Sequence, residues 1–462
     1  MDTATVKQLE TGSFFGRLAR WVSKGGLAIL DQGLISGSNF LVSILLARWL
    51  MPDQYGAYAI AFGIYMMLSL VYQSLVLEPF GVFGGSVFSS NLRGYVRTLV
   101  AIHIALSVTI FSALLISWAI SHHVSSGSAV TGALAGIAFA SPCLMLFALA
   151  RRCFYVELSP APAAAGAFIY SAVVLAGLYV VYHRALLSPF VAFVLLGSGA
   201  LTTGIVLIFG VHAKLSGSGP APSVREAWGR HWRYGRWALA ATIAGWLPSY
   251  IYFPLLSSFT GMAESGQLKA LMNLTLPFEQ MRGALVMLVL PYAARVAGQN
   301  GKAGARVLGS RLTWASVIGA VMYWAVIIPL QKPLFHLLYS DRYLDVAYLL
   351  PALALGQVFW SATFGPSLAL RAMESPASVF AALGVATVAS LGVGVPATWF
   401  FGLKGAIWGS NAADVFSFVA LWWVLTRKLS AQGADDAALP SKWFGKKRSV
   451  TSGVAIEVSE EA

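Results

Sequence analysis

Apolar stretches of roughly twenty residues recur about a dozen times along this chain, with little but short polar gaps between them. A helix rises about 1.5 Å per residue, so each stretch is about as long as the hydrocarbon core of a bilayer is thick. In hydrocarbon the backbone must satisfy its own hydrogen bonds, and a helix does so within one segment. The expected fold is therefore an all-α integral membrane protein with about twelve transmembrane helices. We place spans 1–12 near 26–50, 55–77, 96–120, 128–150, 161–182, 187–211, 236–258, 266–290, 312–331, 345–368, 376–400 and 403–425. Charged residues are only 11% of the chain. A soluble domain carries about 25%, so that class is excluded.

The net charge of +13 is distributed with a pattern. Most Lys and Arg fall in alternate gaps: Lys7 to Lys24, Arg93 and Arg97, Arg151 and Arg152, Lys214 to Arg236, Arg295 to Arg311, Arg371, and Arg427 onward. The other gaps hold only Arg48, Arg184, Lys332, Arg342 and Lys404. By the positive-inside rule both termini are cytoplasmic. The same rule accounts for the basic balance, so no nucleic-acid partner is expected. Cys143 and Cys153 make neither a disulfide framework nor a metal spacing, and no metal site or cofactor is expected. We read no cleaved signal peptide at the N-terminus.

The chain divides into a cytoplasmic N-terminal segment (1–25), a first six-helix half (26–211), a linker (212–235), a second half (236–425) and a disordered cytoplasmic tail (426–462). Residues 224–237 of the linker are expected as an amphipathic helix on the membrane surface. A shift of 210 positions lays Gly56 on Gly266, each after an apolar helix and a short break. An even number of helices per half gives both copies one orientation. Parallel repeats about an axis along the membrane normal are a transporter architecture, with substrate handled between the halves.

No phosphate-binding loop, HExxH, GxSxG or dinucleotide fingerprint is present, so catalytic chemistry is not expected. The informative residues are polar ones inside spans. Gln32, Ser36, Asn39 and Ser43 share one face of span 1, either as a cavity wall or as helix–helix hydrogen-bonding groups. Span 2 shows Tyr58, Tyr65, Ser69 and Tyr72 on one face. The shift carries Tyr65, Ser69 and Tyr72 to Thr275, Glu279 and Arg282 of span 8. A face polar in both copies favours a shared cavity. Arg282, helped by Lys269, would hold an anionic headgroup there; alternatively Glu279 and Arg282 neutralise each other at i, i+3. Asp414, beside Ser410, Asn411 and Ser417, is a candidate for coupling to a proton or Na⁺ gradient, as are Glu279, Asp31 and Glu78. For Asp31 and Glu78, near the cytoplasmic edge, plain solvation is the competing account. His103 in span 3 reads as a hydrogen-bonded structural residue or a proton relay.

Residues 33–62, GLISGSNFLVSILLARWLMPDQYGAYAIAF, contain Leu46, Ala47, Arg48 and Leu50 followed by Pro52, Tyr55 and Gly56. This LAR-x-L, P-x-x-YG pattern resembles the N-terminal signature of the polysaccharide-transporter and O-antigen-flippase branch of the multidrug/oligosaccharidyl-lipid/polysaccharide (MOP) exporter superfamily. Residues 75–84, LVLEPFGVFG, resemble its exopolysaccharide members. The resemblance implies a bacterial inner-membrane flippase that moves a polyprenyl-pyrophosphate-linked oligosaccharide by alternating access. Spans 1, 2, 7 and 8 would line its cavity, Arg282, Lys269 and Arg48 would bind the pyrophosphate, and a polysaccharide polymerase would be a partner. The competing readings are a multidrug exporter of the same superfamily, a lipid II flippase, and a membrane polysaccharide polymerase or ligase. A polymerase or ligase usually needs a sizeable periplasmic loop, which this chain lacks.

Overall fold

The computed structural model describes residues 14–85, 87–124, 128–157, 159–214, 221–373 and 376–438. Helices account for nearly all of them, and no strand occurs among them. Span 1 is Phe14–Trp49; span 2 is Pro52–Tyr72, continued through a π-helical turn, Gln73–Leu77, into Glu78–Gly85. Spans 3 to 6 are Leu92–Val124, Ala129–Val156, Ala161–His183 and Pro189–Lys214. Pro52 opens span 2 at the first helical position, where a missing N–H costs nothing, and the Gln54 side chain accepts from the Met51 N–H. Ser128 caps span 4 by accepting from the Thr131 N–H.

The second half departs from the expected boundaries in three places. Span 7 is one helix, Val224–Tyr250, followed by Tyr252–Phe259. Residues 224–237 are thus not a separate helix but a basic extension of the span 7 helix beyond its apolar part, capped by Ser223. Span 8 begins with Met262–Asn273 and continues into Leu276–Ile327, which runs without a break through the expected loop before span 9. A straight helix would hold Phe278 and Tyr323 roughly 70 Å apart. Their rings instead lie 5.7 Å apart, and the Tyr323 hydroxyl donates to the Leu274 carbonyl (2.6 Å). The chain therefore reverses inside this segment, and its two ends serve as spans 8 and 9. Span 10 is Leu350–Ala362 with Phe364–Ala372, and span 11 opens with Pro376–Ala389. Spans 11 and 12 part at Gly402, inside Val395–Ala438, where φ is +55°. Glu264 accepts the Leu403 N–H there (2.7 Å) and so caps span 12. The expected disordered tail is helical to Ala438, and the rest lies outside the described residues.

Nine described segments are long and apolar enough to cross a membrane. The last, Ser378–Lys428, contains both span 11 and span 12, and spans 7 and 8 are helical but less apolar. The chain is a multi-pass membrane protein with about twelve helices.

The halves meet on either side of a pseudo-axis that the repeat locates. Gly56 and Gly266, equivalent under the shift of 210, touch each other across the crossing of spans 2 and 8. A Cβ on Gly56 would lie 1.9 Å from the Met262 carbonyl oxygen, and one on Gly266 would lie 2.7 Å from that of Pro52. A second equivalence holds inside each half. Ser43 bonds to the Tyr55 hydroxyl (3.0 Å), and their counterparts Phe253 and Ser265 bond through the Phe253 carbonyl (2.6 Å).

Candidate functional site

Polar side chains gather in three places: a buried ion pair in the first half, the seam between the halves, and a cavity in the second half. In the first half Asp31 is fully buried. Arg151 donates to both its oxygens, Nε at 3.1 Å and Nη2 at 2.5 Å, and Tyr155 donates its hydroxyl as well. Asp31 is thus not a solvated edge residue, and Arg151 is not a loop residue but part of span 4. A carboxylate this far from water persists because a bidentate guanidinium and a phenol replace the water. Glu78 is half-buried in the last segment of span 2. Tyr72 is buried and bonds to His103 Nδ1 (3.0 Å), whose Nε2 meets Ser107 (3.2 Å). That pair ties spans 2 and 3 within the first half, so Tyr72 does not line the seam.

The seam starts just below the Gly56–Gly266 crossing. Ser43 donates to Asn273 Oδ1 (2.8 Å), and Asn273 Nδ2 donates to the Tyr55 hydroxyl (2.9 Å). Asn273 is fully buried and joins the halves through this one amide. Over it lies the segment Gln331–Tyr339, whose Tyr339 hydroxyl donates to the Ala270 carbonyl (2.8 Å). Arg48 Nη1 donates to the Leu337 carbonyl (3.1 Å), so Arg48 closes this end and is exposed there. Lys269 is 5% exposed, with its ammonium 4.4 Å from the centre of the Phe62 ring. No ion pair and no hydrogen bond to Lys269 occurs among the described residues. Tyr65 is half-buried, one ring from Phe62.

Further along, Trp246 Nε1 donates to the Gly63 carbonyl (3.1 Å), and Ser36 donates to Gln280 Oε1 (3.0 Å). Gln32 is exposed and donates to Ser36 (3.2 Å); Asn39 is exposed. The polar face of span 1 therefore splits. Ser36 and Ser43 bond to span 8, whereas Gln32 and Asn39 remain open.

The second-half cavity encloses about 160 Å³ between spans 7, 8, 10 and 12. Ser249, Thr275, Glu279, Gln357, Asn411 and Asp414 line it, with Tyr250, Tyr252 and Trp360 as aromatic walls. Glu279 accepts from Thr275 (3.0 Å) and from Gln357 Nε2 (3.1 Å). Gly356 lets spans 10 and 12 close up: a Cβ there would lie 2.0 Å from Asn411 Oδ1 and 3.2 Å from Asp414 Oδ2. Asn411 Nδ2 donates to the Ala352 carbonyl (2.7 Å), so its oxygen turns toward the cavity side. Among the described residues no hydrogen bond reaches the Asp414 carboxylate, and the buried Gln357 Oε1 also lacks a partner.

Arg282 leaves this cavity. Its guanidinium stacks 4.4 Å from the Trp360 ring centre, and Nη1 donates to the Trp360 carbonyl (2.8 Å). It faces a second, mostly apolar space of about 160 Å³ formed with Leu312, Ser316 and Phe364. Glu279 and Arg282 make no ion pair. They thus make no direct contact and do not line the seam together. Four residues of the interior escape sequence reading. Asn273 lies off the polar arc of span 8, Gln357 and Trp360 belong to a span without a repeated polar face, and Arg151 falls in a basic gap. The i, i+4 placement of Thr275 and Glu279 was the available signal for the cavity.

No family model and no curated protein matches the sequence. Solved structures do match in fold. One is an inward-facing multidrug resistance MATE family transporter of the MOP superfamily, with TM-score 0.72, 12% identity, and coverage of 87% of this chain and 96% of that one. Another is the lipid II flippase MurJ in an inward closed conformation, with TM-score 0.67, 12% identity, and coverage of 88% and 87%. A third is an outward-facing MATE transporter of the MOP superfamily, with TM-score 0.62, 13% identity, and coverage of 90% and 96%. The fold is that of MOP-type transporters.

Proposed function

We propose that this chain is a flippase that carries a polyprenyl-pyrophosphate-linked oligosaccharide from the cytoplasmic to the periplasmic leaflet of a bacterial inner membrane. It acts by alternating access between halves 26–211 and 236–425, with both termini cytoplasmic and without catalytic chemistry of its own. The observation that carries the reading is Lys269. It is a buried cation between the halves, resting on an aromatic face and held by no carboxylate among the described residues. A buried cation without a direct ion-pair partner is costly, and a pyrophosphate entering the seam would pair with it. The open groups Gln32, Asn39 and Tyr65 would meet the glycan, while Arg48 holds the closed end. The Gly56–Gly266 crossing and the Asn273 bridge would form the periplasmic closure. Arg282 serves the second-half interior in this reading. Asp414 and Glu279 are the groups available for coupling to a proton or Na⁺ gradient. The glycan's chain-extending polymerase is the natural partner.

The test is the sidedness of lipid-linked glycan in cells depleted of the protein, complemented with Lys269→Gln or Lys269→Arg. The expected result is cytoplasmic-leaflet accumulation that wild type and Lys269→Arg relieve and Lys269→Gln does not. Equal relief by all three would remove the anion role of Lys269.

A second reading, a multidrug exporter, draws on the second-half cavity. Its acids Glu279 and Asp414 and its aromatic walls suit organic cations. Raised sensitivity to cationic drugs on depletion, with normal glycan sidedness, would favour it.

A further inference from the structure

The lower part of span 7 has two unlike faces. Ala227, His231 and Gly235 are buried within an arc of about 80°, against spans 2 and 3 of the other half. His231 Nδ1–H donates to the Leu75 carbonyl (2.9 Å), and its Nε2 accepts from the Tyr95 hydroxyl (2.6 Å). Gly235 packs so closely that a Cβ would lie 2.5 Å from the Ser74 carbonyl oxygen. The opposite face carries Arg225, Trp232, Arg233 and Arg236, all exposed, within an arc of about 100°. Gly229 sits in the middle of that arc and faces open space. Glu226, the one acid in residues 224–237, is held by Arg230 (3.4 Å) and lies beside the arc.

This helix continues directly into a membrane span, and Trp232, Arg233 and Arg236 adjoin that span, so the exposed basic face begins at the headgroup layer. Arginine with tryptophan at that depth suits phosphate oxygens and the headgroup layer. We propose that residues 224–236 dock on anionic phospholipid headgroups. Because the other face of the same helix grips the first half through His231, docking braces span 7 against spans 2 and 3.

The test uses the full chain carrying Gly229→Cys, Cys143→Ala and Cys153→Ala, labelled at residue 229 with an environment-sensitive fluorophore. It is reconstituted in vesicles of phosphatidylcholine alone or with phosphatidylglycerol, each containing a headgroup-nitroxide lipid as quencher. Quenching is expected to rise with phosphatidylglycerol and to fall with added salt. The Arg225→Gln/Arg233→Gln/Arg236→Gln variant should lose the phosphatidylglycerol dependence, and the corresponding triple Lys variant should keep it. Equal quenching in both vesicle types, or an unchanged dependence in the Gln variant, overturns the proposal. So does quenching that emerges only once residues 439–462 are removed, because the acidic chain end would then be the occupant of this face.

Discussion

The two halves share an architecture and treat the acids of their interiors in opposite ways. In the first half Asp31 is locked by a bidentate arginine and a tyrosine. In the second half Glu279 and Asp414 face a cavity, and the donors that reach Glu279 are a hydroxyl and an amide. The nearby Arg282 is spent on the Trp360 carbonyl and ring. A repeat can thus keep its helix crossings, down to the meeting of Gly56 with Gly266, while one copy locks its acid into an ion pair and the other leaves its acids facing a cavity without one. The physical requirement is the same in both: a carboxylate in a membrane interior must be paired, hydrated or neutralised.

The sharpest way to break this comparison is Arg151→Ala, which strands Asp31 in a dry site. It should cost about 3–5 kcal/mol in detergent unfolding assays, and adding Asp31→Asn should restore most of that. Wild-type stability in Arg151→Ala would mean that Asp31 is not locked at all. Next in size is the shared crossing. Gly56→Val and Gly266→Val should each cost about 1–3 kcal/mol or more and lower transport, because their new atoms meet backbone rather than movable side chains. A loss at one glycine only would show that the two copies do not contribute alike.

Asn273→Ala removes the amide bridge but leaves Ser43 and Tyr55 bonded to each other. The expected cost is about 1–2 kcal/mol, with faster labelling of a cysteine at position 42 from the side of the Gly56–Gly266 crossing. Unchanged labelling would mean that the bridge does not hold the halves together. Burial holds His231 below the ordinary 6.5, so the folded state binds its proton less readily than the unfolded chain. Its contribution is therefore fully present above about pH 6.5 and is lost as the pH falls below that value. Thermal unfolding across this range should show the decline in wild type and little of it in His231→Gln. The smallest stability effect is expected for Asp414→Asn, where the lost charge also removes a burial cost. If Asp414 binds the cation of the proposed coupling, Na⁺ or mild acid should raise the melting temperature of wild type and not of the variant; a response retained in the variant would remove Asp414 from that role.

Much of this could be read from the chain before any fold was in hand. The expected ends of spans 3 to 6 agree with the helices within about six residues, whereas the first two helices run well past theirs, to Phe14 and Gly85, because the thickness of hydrocarbon sets the apolar run and not the helix that carries it. The neighbourhood of Glu279 and Asp414 was marked by polar residues recurring at helical spacing. Span 7 was misjudged because its lower turns carry arginine and tryptophan, which read as a surface helix, while the three residues that bury it, Ala227, His231 and Gly235, are small or ambiguous. Arg151 was assigned to a gap because a basic residue beside a basic residue at a helix end looks cytoplasmic. Only a buried partner 120 positions away makes it an interior residue.

By itself, the sequence determines that this chain crosses a membrane repeatedly, in two like halves, with its basic gaps on one side. Hydrophobic length, charge placement and a repeat are local properties, and the bilayer acts on them one segment at a time. Which polar groups meet was decided only by tertiary structure. Helical spacing tells that Thr275, Glu279 and Arg282 lie near one another, but not that Arg282 turns to Trp360 while Glu279 meets Gln357. That choice depends on the rotation of each helix about its own axis. Packing against residues far along the chain sets that rotation, as in the contact of Ser43 with Asn273 and of Gly56 with Gly266.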